Sequence, residues 1–110
     1  MLLKDKKDKE TVGEEIVVKW LKSHGFSHVT SKTHDNISCI EADSGMRRIL
    51  VQVKILSTRS KRDLFRDRDA MVMRNLALQN LREAWTAAVV LDRNMQLSRS
   101  IKWYNLSKIK

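Results

Sequence analysis

A chain of 110 residues with 42% hydrophobic content can bury one core, so a single domain spanning 1–110 is expected, with residues 1–10 partly frayed. The 22 Lys and Arg against 13 Asp and Glu leave +9, and the excess is lopsided: residues 1–45 carry seven basic and eight acidic side chains, residues 46–110 fifteen and five. A single cysteine excludes an internal disulfide or a multi-cysteine zinc site, the run Ile16 to Leu21 is too short and too broken by Lys19 to span a bilayer, and the charge suits a polyanion; the expectation is a cytoplasmic protein that binds nucleic acid and no membrane.

From Thr11, the residues Val12, Ile16, Val17, Trp20 and Leu21 recur at helical spacing, and Gly25 after His24 is a stop signal, which together predict a first helix. Phe26 to Thr33 is β-branched and polar by turns, and Asp35 to Ala42 is a second extended segment ending at Asp43-Ser44-Gly45, a turn signal. Arg47 to Ile55 is the clearest strand, with Ile49, Val51, Val53 and Ile55 on one face and Arg48, Leu50, Gln52 and Lys54 on the other. Leu56 to Asp69 reads as a basic loop entering a helix over Ala70 to Ala84, whose buried side holds Val72, Leu76 and either Met73 or Leu81. Trp85 to Asp92 reads as a buried strand, Arg93-Asn94 as a turn, and Ser100 to Leu106 as a last strand bearing Trp103 and Tyr104. The expected order is α-β-β-β-α-β-β, an α/β arrangement.

A hairpin that carries Asp35 on one strand and Gln52 and Lys54 on the polar face of its neighbour sets a carboxylate, an amide oxygen and an ammonium side by side, with Glu14 of the first helix within reach. Mg²⁺ takes hard oxygen ligands, usually one or two carboxylates with water and substrate phosphate completing the shell. Lys54 beside it is suited to position or help deprotonate an attacking water and to neutralise developing charge. Other candidates have plainer readings. His24, His28 and His34 form no helical i, i+4 pair, and His24 suits the end of a helix dipole. Cys39 reads as a buried strand thiol, Trp20 and Trp85 as core, Gln79 as surface, and Ser57, Thr58 and Ser60 as phosphate contacts or plain loop; Trp103 and Tyr104 stay open.

The helix carrying Gly13-Glu14-Glu15, the strand opened by Asp35 and the strand ending Gln52-Val53-Lys54 resemble the αβββαβ core of the PD-(D/E)XK, restriction-endonuclease-like superfamily, a mixed central sheet flanked by helices. The run GEEIVVKWLKSHGF is similar to the opening helix of archaeal Holliday-junction resolvases and related small nucleases. The resemblance implies an endonuclease that cleaves DNA phosphodiester bonds with Mg²⁺ or Mn²⁺. It makes Asp35 the principal metal ligand and Glu14, or failing that Glu15, a second. Gln52 takes the motif's acidic position, the Val53 carbonyl faces the metal, and Lys54 is the catalytic lysine. Arg59, Lys61, Arg62, Arg66 and Arg68 would grip duplex or branched DNA, and symmetric cutting of a junction would need a homodimer, with Met71, Met73 or the last strand at its interface.

Two positions depart from the family pattern. His34 precedes Asp35 where proline or an aliphatic residue is usual, and Gln52 replaces an acid, as in methyl-directed restriction enzymes. The lost charge weakens Mg²⁺ binding and shifts weight onto Glu14 or Glu41. The alternatives are a catalytically inactive nucleic-acid-binding protein of the same fold, and a basic α+β RNA- or ribosome-binding module in which Asp35 and Lys54 form an ordinary ion pair.

Overall fold

The first helix, α1 (Lys9–Ser23), begins two residues before the apolar spacing that announces it. It stops at Gly25, whose φ of 89° lets the amides of His24 and Phe26 turn back onto the Leu21 carbonyl at 3.1 and 3.0 Å. The computed structural model describes residues 9–34, 37–56 and 68–108. After α1 come β1 (Ser27–His34), β2 (Ile37–Ser44) and β3 (Arg47–Leu56), then α2 (Arg68–Gln79), β4 (Glu83–Val90), β5 (Lys102–Asn105) and a closing 3₁₀ turn, Leu106–Lys108. The element order and the mixed sheet agree with the expectation. The strands lie side by side in chain order, antiparallel throughout except that β4 runs parallel to β3. A parallel neighbour needs a crossover longer than a hairpin, and α2 lies in it.

Strand alternation makes β3 a two-faced wall. Ile49 and Val51 pack with Val17 and Leu21 of α1 and with Ile40, Ala42, Ala87 and Val89, while Leu50 packs on the opposite face with Cys39, Ala84 and Met73 of α2. Gly13 brings α1 close to β3, because a Cβ at that position would run into the Ile55 side chain. No helix among the described residues is long and apolar enough to cross a membrane.

Several boundaries differ from the sequence reading, and the last strand is shorter, Lys102–Asn105 instead of Ser100–Leu106. The β2–β3 hairpin closes later than Asp43-Ser44-Gly45: Ser44 pairs with Arg47, leaving Gly45 (φ 54°) and Met46 as the turn. The second helix ends at Gln79 instead of Ala84, and β4 starts at Glu83 instead of Trp85. At that end the amides of Leu81 and Arg82 return to the carbonyls of Leu78 (3.3 Å) and Ala77 (2.7 Å), with Leu81 at φ 55°. This closing loop normally uses glycine at the left-handed position, so a leucine there hides the helix end from sequence inspection. Leu81 is left 80% exposed, and the buried side of α2 is Ala70, Met73 and Ala77, flanked by half-buried Val72 and Leu76.

Candidate functional site

The sheet opens a fork where the motif residues sit. Pairing between β2 and β3 ends at Cys39 opposite Gln52, whereas β1–β2 pairing continues to His34 opposite Ile37 and β3–β4 pairing to Leu56 opposite Val90. Beyond Gln52, Val53 and Lys54 therefore follow one prong, paired with Ala87 and Ala88, and Ile37 and Ser38 follow the other. Alternation turns Gln52 and Lys54 toward the α2 side and Val53 toward α1. Gln52 is 4% exposed and Lys54 half-buried; both are engaged by neighbouring groups.

The first turns of α1 lie against this fork. Gly13 rests on Val53 and Ile55, which places the adjoining Glu14 at its α1 side. Glu14 is half-buried, and its Oε1 accepts a hydrogen bond from Ser31 Oγ at 3.5 Å. Glu15 is exposed and lines a separate groove with Lys19 and Met95. The structure thus sets Gln52 and Lys54 on the α2 side of this end of β3, and Val53, with Glu14 of α1 near it, on the α1 side. Their oxygens (a carboxylate, an amide and a main-chain carbonyl) are the hard donors a divalent cation such as Mg²⁺ accepts. Among the described residues, no three His, Cys, Asp or Glu side chains cluster closely enough to hold a metal by themselves. Asp35 lies outside the described residues.

Cys39 and Thr86 flank Gln52 in register on β2 and β4, and both are fully buried. Burial pushes the Cys39 thiol up to about 11, assisted by the Glu41 and Glu14 carboxylates and opposed by Lys32. The thiol stays protonated and behaves as a small core side chain, as its strand setting suggests. Thr86 Oγ1 is buried with no hydrogen-bond partner among the described residues.

Glu41, an alternative ligand on sequence grounds, is committed elsewhere. Its carboxylate lies 3.6 Å from Lys32 Nζ and 3.5 Å from Arg82 Nη2. Arg82, with its side chain only 8% exposed, also donates to Asp43 Oδ1 at 2.9 Å and to the carbonyls of Ile49 and Ala42 at 3.2 and 3.4 Å. This clamp ties the β2–β3 hairpin to the segment joining α2 and β4. Sequence inspection missed it because helix 2 was expected to run through Arg82.

Among the described side chains, His24 and His28 have separate partners. His24 stacks on Trp20 with 3.7 Å between centroids and sets Nδ1 2.8 Å from the Trp20 carbonyl, the expected helix-end role, while His28 Nδ1 sits 3.9 Å from Asp43 Oδ2. Arg59, Lys61, Arg62 and Arg66 lie outside the described residues, as do Ser57, Thr58 and Ser60; Arg68 opens α2, but its side chain is not described. Gln79, at the end of α2, is exposed. Arg47 and Arg48 in the hairpin are about half exposed, as basic side chains on the surface. Met73 is buried beneath α2, so it is removed from any subunit interface, and Met71 remains exposed. Comparison with protein-family models gives no match, and comparison with curated proteins gives none either.

Proposed function

We propose that the chain is a divalent-metal-dependent endonuclease of the PD-(D/E)XK type acting on duplex or branched DNA. The observation that supports this reading is the fork: β2 and β3 part immediately after Gln52, with Val53 and Lys54 on one prong, and Gly13 seats the start of α1, which carries Glu14, against Val53 and Ile55. In this reading Asp35, Glu14, Gln52 and the Val53 carbonyl hold Mg²⁺ or Mn²⁺. A bound cation supplies Lewis acidity and lowers the pKa of coordinated water. Lys54 orients the attacking water and places positive charge where the non-bridging phosphate oxygens gain negative charge as the P–O bond to the leaving oxygen breaks. The basic residues of the second half, Arg59 to Arg68 among them, bind flanking phosphates. A homodimer able to cut two strands symmetrically would place the exposed Met71 and Leu78 of α2 at its interface.

A second reading, a nucleic-acid-binding protein without catalysis, is favoured by one specific observation: the position where the motif carries an acid is held by the neutral, buried Gln52. Incubation with duplex, branched and single-stranded DNA in Mg²⁺ or Mn²⁺ separates the two. Cleavage is expected, reduced about a hundredfold or more in Asp35→Ala, Lys54→Ala and Glu14→Gln. Cleavage at wild-type rates in those variants ends the assignment to the fork, and DNA binding without cleavage in either metal selects the second reading.

A further inference from the structure

The segment that joins β4 to β5, residues 91–101, stands at the fork end of the sheet. It begins where the Leu91 amide donates to the Leu56 carbonyl at 3.2 Å and ends where Lys102 pairs with Ala88. Its course is fixed by its own hydrogen bonds. Asp92 Oδ1 accepts the amides of Asn94 and Gln96 at 2.8 and 3.1 Å, and the amides of Asp92 and Ser98 donate to the carbonyls of Gln96 and Val90 at 2.9 and 2.8 Å. Leu91, Met95 and Ile101 pack into the α1-side core. Outward it presents Arg93, Asn94, Ser98, Arg99 and Ser100, all exposed, and Lys102 follows, exposed as well. Trp103 turns to the α1 side, its ring 4.7 Å from that of Trp20 and 6.5 Å from that of Trp85, so Lys102 and Tyr104 face the α2 side by alternation. Lys102 there shares a cross-strand row with Ala88 and Lys54, two strand spacings or about 10 Å from Lys54.

The cations at the two ends of the sheet keep different company. At the hairpin end Arg47 is paired with Glu83, Arg48 with Asp43, Lys32 with Glu41, and Arg82 with both Glu41 and Asp43. At the fork end the one acid of the joining segment, Asp92, spends an oxygen on main-chain amides, and Arg93, Arg99 and Lys102 have no ion-pair partner among the described residues. We propose that Arg93, Arg99 and Lys102 form a phosphate-binding surface that takes the backbone of a nucleic-acid strand where it leaves the fork. The inference rests on the nucleic-acid reading of the fork and deepens it by naming a path, from Lys54 over β4 to β5 and the segment before it. Cations without a carboxylate partner break no ion pair when they meet a phosphate, and the Asn94, Ser98 and Ser100 side chains beside them are neutral donors of the kind that phosphate oxygens accept. A segment already held by its own hydrogen bonds loses little freedom on binding. With Leu91, Met95 and Ile101 turned inward, the outward surface offers chiefly charge and hydrogen bonds, which suits a phosphate backbone better than the apolar anchors of a protein interface.

Salt dependence reads the surface directly. Binding of a short labelled DNA duplex is followed by fluorescence anisotropy, in EDTA to prevent cleavage, over a range of salt concentrations. Each phosphate contact adds about 0.9 to the slope of log K against log salt, so Arg93→Gln/Arg99→Gln/Lys102→Gln should lower the slope by about two to three. Lys19→Gln/Lys22→Gln, which removes two exposed cations of α1, should lower it by less than about one. All five side chains are exposed, so both variants should unfold at the wild-type urea midpoint. An unchanged slope in the triple variant, or an equal loss per cation in the α1 variant, overturns the proposed path and leaves the reading of the fork standing. If the wild type binds no DNA, both fall together, and binding to anionic phospholipid vesicles in that case identifies lipid as the polyanion instead.

Discussion

Replacing Arg82 with Met removes the guanidinium of the buried clamp while keeping much of its apolar stem. It strands the carboxylates of Asp43 and Glu41, whose side chains are 32% and 18% exposed, and two strand carbonyls, Ala42 and Ile49. Breaking a fully buried pair costs about 3–5 kcal/mol, and these acids are partly solvated. Each also keeps a weaker partner, Lys32 at 3.6 Å for Glu41 and Arg48 at 3.8 Å for Asp43. The expected loss is therefore about 2–3 kcal/mol, a fall in Tm on the order of 10–20 °C for a domain of this size. Urea unfolding followed by circular dichroism should show a lower midpoint with an unchanged slope. The triple variant Arg82→Met/Glu41→Gln/Asp43→Asn should regain part of the loss, because most of the penalty belongs to the abandoned charges. A single variant within about 0.5 kcal/mol of wild type would refute the clamp as a stabilising element.

Gly13→Val should destabilise by about 1–3 kcal/mol, since the new side chain meets Ile55 and Val53, and in the nuclease reading DNA cleavage per folded molecule should fall as Glu14 is displaced; chemical denaturation and the cleavage assay check the two halves. Cys39 should titrate as a stability term at high pH. Its folded pKa of about 11 lies above the ordinary thiol value of 9.0, so its contribution is complete below pH 9 and is lost as pH rises through 11. Unfolding measured from pH 8 to 11 should show a decline that is smaller in Cys39→Ala, and alkylation of wild-type Cys39 at pH 8 should proceed only as fast as the protein opens.

Local physics made much of this protein readable in its residues. The apolar spacing from Val12 to Leu21 and the glycine at 25 specify α1 and its end within a few residues, because helix period and a left-handed stop are properties of adjacent side chains. The alternation of Ile49, Val51, Val53 and Ile55 likewise assigned both faces of β3 and put Gln52 and Lys54 together. Alternation defines a face only to within two residues, however, and says nothing about where a neighbour stops pairing. The parting of β2 and β3 after Cys39 and Gln52 depends on contacts between segments far apart in the chain, so only the folded sheet decided it. The same holds for the burial of Arg82 among Glu41, Asp43 and the β2 and β3 carbonyls, and for the three tryptophans, which come from α1, β4 and β5. In sequence Trp20 and Trp85 read as core, Trp103 stays open and Arg82 gives no signal, since what distinguishes them is the company that tertiary packing supplies.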